Sequence, residues 1–286
     1  MKSKLILAIV FCICVSFVGY SQSSTFESLK FQSKKLGKEI SYSIYLPSDY
    51  NTSSRNYPVL YLLHGYTDDE TMWLQAGEVK TIADRAIENG DAAQMIIVMP
   101  DAWDTFYINQ YDGKASYEDM FFEELIPYIE KTYRARPKKE YRAVAGLSMG
   151  GYGSFIYSLH HPDYFAACAP LSAAVFDDQV MKQRQENTHK DLFARLYGPG
   201  LNHWHKNSVL QILSELTPDN LPQVRYYIDC GDKDALLDGN FQAHKLMQQK
   251  GIQHEFRVRG GGHTWTYWRT ALPEVLKFIS VSFRRA

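Results

Sequence analysis

The stretch AVAGLSMGG, residues 143–151, decides how this chain can fold. A short apolar run ends in Gly-x-Ser-x-Gly, and residues 152–161, which have helical character, follow it. Gly146 and Gly150 carry no side chain, so the chain can turn sharply and Ser148 can project from the end of its strand. The stretch predicts a strand, a tight turn and a helix. A bare Gly-x-Ser-x-Gly would also fit a plain glycine-rich turn, so the interpretation depends on the sequence around it.

On both sides of this stretch, apolar runs alternate with segments of helical periodicity. Residues 57–63 are apolar almost throughout, which is typical of a strand buried on both faces of a parallel sheet. Residues 38–46 alternate instead, which predicts an antiparallel edge pair with one wet face. We predict an α/β fold with a mostly parallel central sheet, helices on both faces and an antiparallel N-terminal edge. The predicted strands are 26–33, 38–46, 57–63, 94–99, 141–146, 165–172, 224–230 and 254–258.

The segments with helical periodicity include one kinked helix and one insertion. Residues 116–133 predict a helix that is kinked at Pro127. Residues 173–222 are polar and mostly helical, and we interpret them as an insertion over the carboxyl ends of the strands, where open α/β sheets bind ligands. The other predicted helices are 79–88, 152–161, 236–249 and 273–283, with 179–197 and 204–216 inside the insertion.

The first 21 residues predict a secretory signal peptide. Two lysines precede an apolar run, and small residues stand before Gln22. An uncleaved anchor is the alternative interpretation. Residues 22–286 contain no linker or repeat and predict a single domain. We therefore expect a secreted or periplasmic protein with no membrane attachment after cleavage.

Charge and cysteine content narrow the function classes. The formal net charge is −1, and loss of the two signal lysines leaves about −3. A net charge so close to zero provides no excess of positive charge that would attract nucleic acid. Cleavage leaves Cys168 and Cys230, each at the end of an apolar run, which we interpret as buried thiols. A single bridge between them is the alternative.

A serine hydroxyl needs a base and an orienting carboxylate to become a nucleophile. In α/β-hydrolases these residues follow the order serine, acid, histidine. His263 comes after three glycines and just after the last predicted strand, so it is the candidate base. The acid lies in residues 231–234, where the spacing leaves Asp232 and Asp234 open.

The remaining histidines predict no further chemistry. His64 precedes the serine at a strand end, and we interpret it as structural. His203 and His205 form a His-x-His pair, but no third ligand stands at a suitable spacing. We therefore predict neither a metal site nor a cofactor.

Taken together, these motifs resemble the esterase D-like family of α/β-hydrolases. The matching pieces span about residues 55 to 283. They are residues 63–65 with Trp73 downstream, 146–151, 228–231 with Asp234, and 261–263 with Trp265 and Trp268. The family includes S-formylglutathione hydrolases, mycolyltransferases, and the feruloyl and acetylxylan esterases of carbohydrate esterase family 1. The last group is the most similar.

The resemblance implies roles for particular residues. It points to Asp234 as the acid and to the backbone N–H groups of Tyr66 and Met149 as the oxyanion hole. Aromatic residues in the matching stretches and in the loop 101–115 are candidate substrate contacts: Trp73, Trp103, Tyr107 and Trp265.

The implied activity is a secreted serine carboxylic-ester hydrolase that works through an acyl-enzyme. Its expected substrates are feruloyl or acetyl esters, either small or linked to plant polysaccharide. An acyltransferase with the same triad, a general short-chain carboxylesterase and a thioesterase like S-formylglutathione hydrolase are the alternatives. A binding module that keeps the fold without catalysis is a fourth, disfavoured because it need not retain the triad and the glycines. The sequence carries no feature that bears on the oligomeric state.

Overall fold

The computed structural model describes residues 22–186 and 189–284. The predicted signal peptide, residues 1–21, lies outside the described residues.

The described residues form one eight-stranded sheet in the order β1-β2-β4-β3-β5-β6-β7-β8. Strands β3 to β8 pair in parallel, whereas β2 pairs antiparallel with both β1 and β4. The predicted mostly parallel sheet with an antiparallel N-terminal edge is confirmed. The strands are β1 (Ser24–Ser33), β2 (Lys38–Leu46), β3 (Val59–Leu63), β4 (Ile96–Pro100), β5 (Arg142–Leu147), β6 (Ala167–Leu171), β7 (Arg225–Gly231) and β8 (His254–Arg259).

Apolar layers cover both faces of the sheet. In β3, Tyr61 and Leu63 face one layer while Leu60 and Leu62 face the other, since successive side chains of a strand point to opposite faces. The face of β2 that was predicted to be wet is exposed at Glu39 but buried from Ser43 onward. Tyr45 is fully buried, and its hydroxyl donates to Asp84 at 2.8 Å.

The helices follow the prediction in order but not in every boundary. The predicted helix 116–133 consists of two α-helical pieces joined by a π-helical turn, Phe121–Leu125, and Pro127 lies in the first turn of the second piece, where its missing N–H costs little. The helices are α1 (Met72–Gln75), α2 (Val79–Glu88), α3 (Tyr117–Met120), α4 (Ile126–Thr132), α5 (Met149–His160), α6 (Asp178–Glu186), α7 (Lys190–Tyr197), α8 (Asn202–Lys206), α9 (Val209–Glu215), α10 (Leu237–Gln249) and α11 (Trp265–Arg284).

Several predicted helix boundaries are wrong. The last helix begins at Trp265 rather than at Pro273, because Tyr267, Trp268 and Leu272 bury an apolar stripe that continues upstream of the proline. The segments 179–197 and 204–216 each break into two helices. Gly198, with φ of 68°, ends α7.

This architecture brings the candidate residues to one edge. His64, Ser148, Asp234 and His263 all follow the carboxyl ends of parallel strands, and helices α6 to α9 connect β6 to β7 beside them. Within residues 22–186 and 189–284, no helix combines the length and the apolar character that a membrane span requires.

Candidate active site

Ser148 lies in the turn between β5 and α5 with φ of 54° and ψ of −114°. A serine in such a conformation stores about 1–3 kcal/mol of backbone strain. Its N–H donates to Leu171 O at 2.9 Å, and its carbonyl accepts from Ala174 N–H at 3.0 Å. A Cβ on Gly150 would collide with the carbonyl of Leu63, so the end of β3 can approach the turn only because this residue is glycine.

The structure brings Ser148, His263 and Asp234 together. The Nε2 atom of His263 lies 2.9 Å from the Oγ of Ser148. Its Nδ1 atom lies 2.9 Å from one carboxylate oxygen of Asp234 and 3.2 Å from the other. The carboxylate accepts the Nδ1 proton, which leaves Nε2 free to accept the serine proton. This geometry can generate a nucleophilic serine oxygen.

The carboxyl side chain of Asp234 is fully buried. Burial by itself raises the pKa of this carboxyl, but hydrogen bonds from His263, from Leu236 N–H and from the Ser172 hydroxyl together lower it below its usual value. The group therefore stays ionised beside the imidazole.

The two aspartates that spacing left open lie in different places. Asp232 accepts the backbone N–H of Gly261 at 2.8 Å, and its own N–H donates to Arg259 O at 2.9 Å. It holds the glycine loop, whereas Asp234 contacts His263.

The loop that carries His263 depends on glycine. Gly261 has φ of 148°, and a Cβ there would lie 2.5 Å from the ring of Tyr267. Gly231 at the end of β7 packs against the Gly261 carbonyl, where a Cβ would also collide. The loop therefore lies flat between the end of β7 and the start of α11, and this fixes the position of the imidazole.

A buried carboxylate below this loop was not assigned a role from the sequence. Asp229 is fully buried and accepts from the Tyr227 hydroxyl at 2.9 Å, the Tyr267 hydroxyl at 2.5 Å and the Arg259 guanidinium at 2.5 Å. Arg259 directly precedes the glycines. An aspartate within the apolar run 224–230, paired with an arginine at the end of the next strand, is the signal that could have revealed this network.

The two residues expected to form the oxyanion hole, Tyr66 and Met149, line the same pocket as Ser148. Met149 is the first residue of α5, so its N–H has no acceptor within the helix. Tyr66 follows Gly65 in the loop just after β3. A Cβ on Gly65 would lie 2.7 Å from the side chain of Leu147, so glycine brings this loop close to the elbow.

His64 holds the loop that carries Tyr66. Its Nε2 accepts the backbone N–H of Ala102 at 2.9 Å, so the proton resides on Nδ1, which donates to Gly65 O at 2.8 Å. The imidazole is buried, and its two hydrogen bonds join the ends of β3 and β4. The structure thus places His64 in a scaffolding position.

The four aromatic residues suggested as substrate contacts lie outside the pocket wall. Trp73 and Tyr107 are fully buried, and they donate to the carbonyls of Leu63 and His64 at 2.9 and 3.1 Å. These two residues position the loop after β3 instead of contacting substrate. Trp103 packs under the ammonium of Lys38, and Trp265 packs against Trp73 and Trp268.

The pocket beside Ser148 has a volume of about 300 Å³ and mostly apolar walls. A larger groove, between α2 and α11, contains no member of the triad. Much of the pocket wall comes from the segment 173–222, whose side chains the sequence did not single out because they are scattered over a loop and two short helices. The contributors from this segment are Ala174, Phe176, Arg184, His189, Leu192 and Phe193.

The remaining candidates do not enter the site. His203 lies 3.3 Å from Asn109 O, and His205 lies 2.9 Å from a carboxylate oxygen of Asp178. Among the described residues, no group of three or more metal-ligating side chains occurs. Cys168 and Cys230 are buried, unbridged thiols, and burial raises the pKa of each to about 12.

Comparison with known proteins places this chain among esterases. The family model described as Putative esterase matches residues 33–279. The Mycobacterium tuberculosis protein named Esterase Rv1288 is 28% identical over 259 residues, covering 82% of this chain and 55% of that protein. The chain therefore spans about half the length of this mycobacterial relative.

Two relatives carry feruloyl or ferulic acid esterase in their names. The endo-1,4-beta-xylanase/feruloyl esterase of Xylanibacter ruminicola is 32% identical over 262 residues, covering 88% of this chain and 31% of that protein. A solved structure of a ferulic acid esterase aligns with a TM-score of 0.80 and 34% identity, and the alignment covers 92% of this chain and 99% of that one.

Proposed function

This chain belongs to the putative esterase family and is a serine esterase, and we propose that it hydrolyses hydroxycinnamoyl esters of plant polysaccharide after export. One observation carries the choice of acyl group. The pocket next to Ser148 is lined by phenylalanine rings from two segments: Phe106 comes from the loop after β4, and Phe176 and Phe193 come from the segment between β6 and β7, with Phe193 in ring contact with Phe106 at 5.9 Å. Flat apolar walls suit an aromatic acyl group, whereas an acetyl group would leave most of the pocket empty.

The size of the pocket supports one acyl group rather than a length of polysaccharide. A volume of about 300 Å³ stands at the lower end of small-molecule sites. The sugar to which the acyl group is attached then lies outside, toward solvent, where the exposed face of His263 is located.

The reaction proceeds through an acyl-enzyme in two halves. His263 takes the proton of Ser148 as the serine oxygen bonds to the ester carbonyl carbon, and the Tyr66 and Met149 N–H groups stabilise the oxyanion. The carbonyl re-forms as the C–O bond to the sugar breaks, and His263 gives its proton to the leaving alcohol. Water then repeats these steps and releases the acid.

Export is the second part of the proposal. The basic, apolar and small-residue pattern of residues 1–21 supports it, as does the location of polysaccharide outside the cell. Expression of the full chain in a bacterium with a Sec pathway should yield a mature protein that begins at Gln22. Intact mass measurement checks this, and a chain that keeps its first 21 residues would overturn it.

The activity test uses esters that differ in acyl group. Wild-type protein, the Ser148→Ala variant and a matched surface control, Ser214→Ala, are assayed on methyl ferulate, methyl acetate and feruloylated arabinoxylan. We expect wild type and the control to release ferulate from the polymer and to prefer methyl ferulate, and the Ser148→Ala variant to lose about 10⁶ in kcat. Preference for methyl acetate would overturn the acyl assignment. Faster loss of ester on addition of free sugar, with a new sugar ester formed, would identify a transferase.

A further inference from the structure

Arg184 brings a positive charge to the apolar pocket wall. Its guanidinium lies 4.2 Å from the ring centre of Phe176 and 5.8 Å from that of Phe193. Within residues 22–186 and 189–284, no carboxylate forms an ion pair with it, and its buried Nε has no hydrogen-bond partner. Arg259 also has a buried Nε without a hydrogen-bond partner, but its guanidinium is paired with the carboxylate of Asp229.

This arrangement is costly in the absence of a ligand. A guanidinium stays charged at neutral pH, and removing part of it from water without a counter-charge or acceptor costs free energy. Burial accordingly lowers the pKa of Arg184. The faces of the two phenylalanine rings offset part of the cost but supply no acceptor for the N–H groups.

The helix that carries Arg184 is held in place by polar contacts outside the pocket. The next residue, Gln185, donates to Gly200 O at 3.0 Å. At the start of α6, Asp178 accepts the indole N–H of Trp204 at 3.1 Å and contacts His205 at 2.9 Å. These contacts fix the position of α6, and the helix holds the Arg184 guanidinium at the pocket wall.

We propose that Arg184 is a specificity-determining residue that donates hydrogen bonds to an oxygen on the aromatic ring of the acyl group. The phenylalanine walls hold the ring, and the guanidinium meets a hydroxyl or methoxy oxygen at the end far from the ester. An unsubstituted cinnamoyl group would cover the guanidinium with carbon and supply no acceptor, so it is disfavoured. This inference rests on the proposed hydroxycinnamoyl specificity.

The test measures kcat/KM for methyl p-coumarate, methyl ferulate and methyl cinnamate, which share a leaving group and differ only in the hydroxyl and methoxy substituents of the ring. The variants are Arg184→Met, which keeps much of the side-chain volume without donors, and Arg184→Lys, which keeps the charge without the planar fork. Lys182→Met, on the exposed side of the same helix, is the matched control for loss of one charge.

We expect wild type and Lys182→Met to prefer the two oxygen-bearing esters over methyl cinnamate by about tenfold or more. Arg184→Met should reduce that ratio to near one, and Arg184→Lys should give an intermediate ratio. A ratio that Arg184→Met leaves intact overturns the role of Arg184 while the proposed function stands. A wild type that hydrolyses methyl acetate but none of the three aromatic esters overturns the proposed function itself. Because the readout is a ratio within one protein sample, partial unfolding of a variant does not affect it.

Discussion

The two ends of the site are built in different ways. The end that carries the triad consists of turns at the ends of β5, β7 and β8, and backbone geometry fixes these turns: a strained Ser148, a flat loop at Gly261 and a buried Asp229 below it. The end that we propose receives the acyl group consists mainly of side chains on α6, α7 and the loop before them, with Phe106 from the loop after β4. The first end leaves little room for substitution, whereas the second can change its side chains without moving the backbone. Mutations at the two ends should therefore affect different kinetic quantities.

The largest effect should come from Asp234→Asn. An amide in place of the carboxylate favours the wrong tautomer of His263, so we expect kcat to fall by about 10⁴ on methyl ferulate and methyl acetate alike. Asp232→Asn is the matched control, because Asp232 contacts Gly261 rather than His263. A larger loss of kcat in the Asp232 variant would show that Asp232, and not Asp234, is the acid of the triad.

Glycine substitutions in the histidine loop test whether backbone geometry positions the base. In Gly261→Ala, the Cβ would meet Tyr267 at 2.5 Å, and the resulting shift of His263 should lower kcat by roughly 10- to 100-fold on every ester. Gly260→Ala introduces a Cβ into open space and should stay within about threefold of wild type. Equal losses in both variants would mean that the loop tolerates no side chain anywhere, and the specific role of Gly261 would be lost.

At the other end, Phe176→Ala should change selectivity more than turnover. Removing this wall should lower kcat/KM for methyl ferulate by about tenfold, with a smaller change for methyl acetate, whose acyl group does not reach the ring. Phe278→Ala is a close control: Phe278 is 7% exposed against 8% for Phe176 and lies 4.4 Å below the guanidinium of Arg225. It packs on the opposite face of the sheet. A selectivity change in the Phe278 variant would point to a global cause.

The smallest effect should be the acid dependence of stability. The pKa of Asp234 in the folded protein is lowered, below an unfolded value of about 3.9. Its carboxylate therefore stabilises the fold fully above that value, and the contribution is lost as the pH falls through the folded pKa. Between pH 5 and pH 3, the Tm of wild type should fall further than that of Asp234→Asn, by about 2 °C. Equal slopes would show that Asp234 does not contribute in this way.

The contrast between the two ends also explains which parts of the site could be predicted from the sequence. The positions of the strands, the elbow and the residues Ser148 and His263 depend on local patterns, since glycines and apolar runs act on neighbouring backbone. Spacing alone could not choose between Asp232 and Asp234, because both follow the same glycine and only the turn decides which one faces the imidazole. The resemblance pointed to Asp234, and the structure places Asp234 against His263.

The acyl pocket was the part that the sequence did not reveal. Trp73 and Tyr107 were suggested as substrate contacts because they are large aromatic residues near the right strand ends, but both are buried under the loop after β3. Phe176 and Phe193 line the pocket although they are 17 residues apart in a polar segment. Their convergence depends on how α6 and α7 pack, which no local pattern encodes.

The most direct test of the division between the two ends is the ratio of kcat/KM for methyl ferulate to that for methyl acetate, measured in Asp234→Asn and in Phe176→Ala. Both esters release methanol, so the ratio reports only on the acyl group. We predict that Asp234→Asn lowers both values and leaves the ratio near that of wild type, whereas Phe176→Ala lowers the ratio by several fold. A changed ratio in Asp234→Asn together with an unchanged ratio in Phe176→Ala would contradict the account.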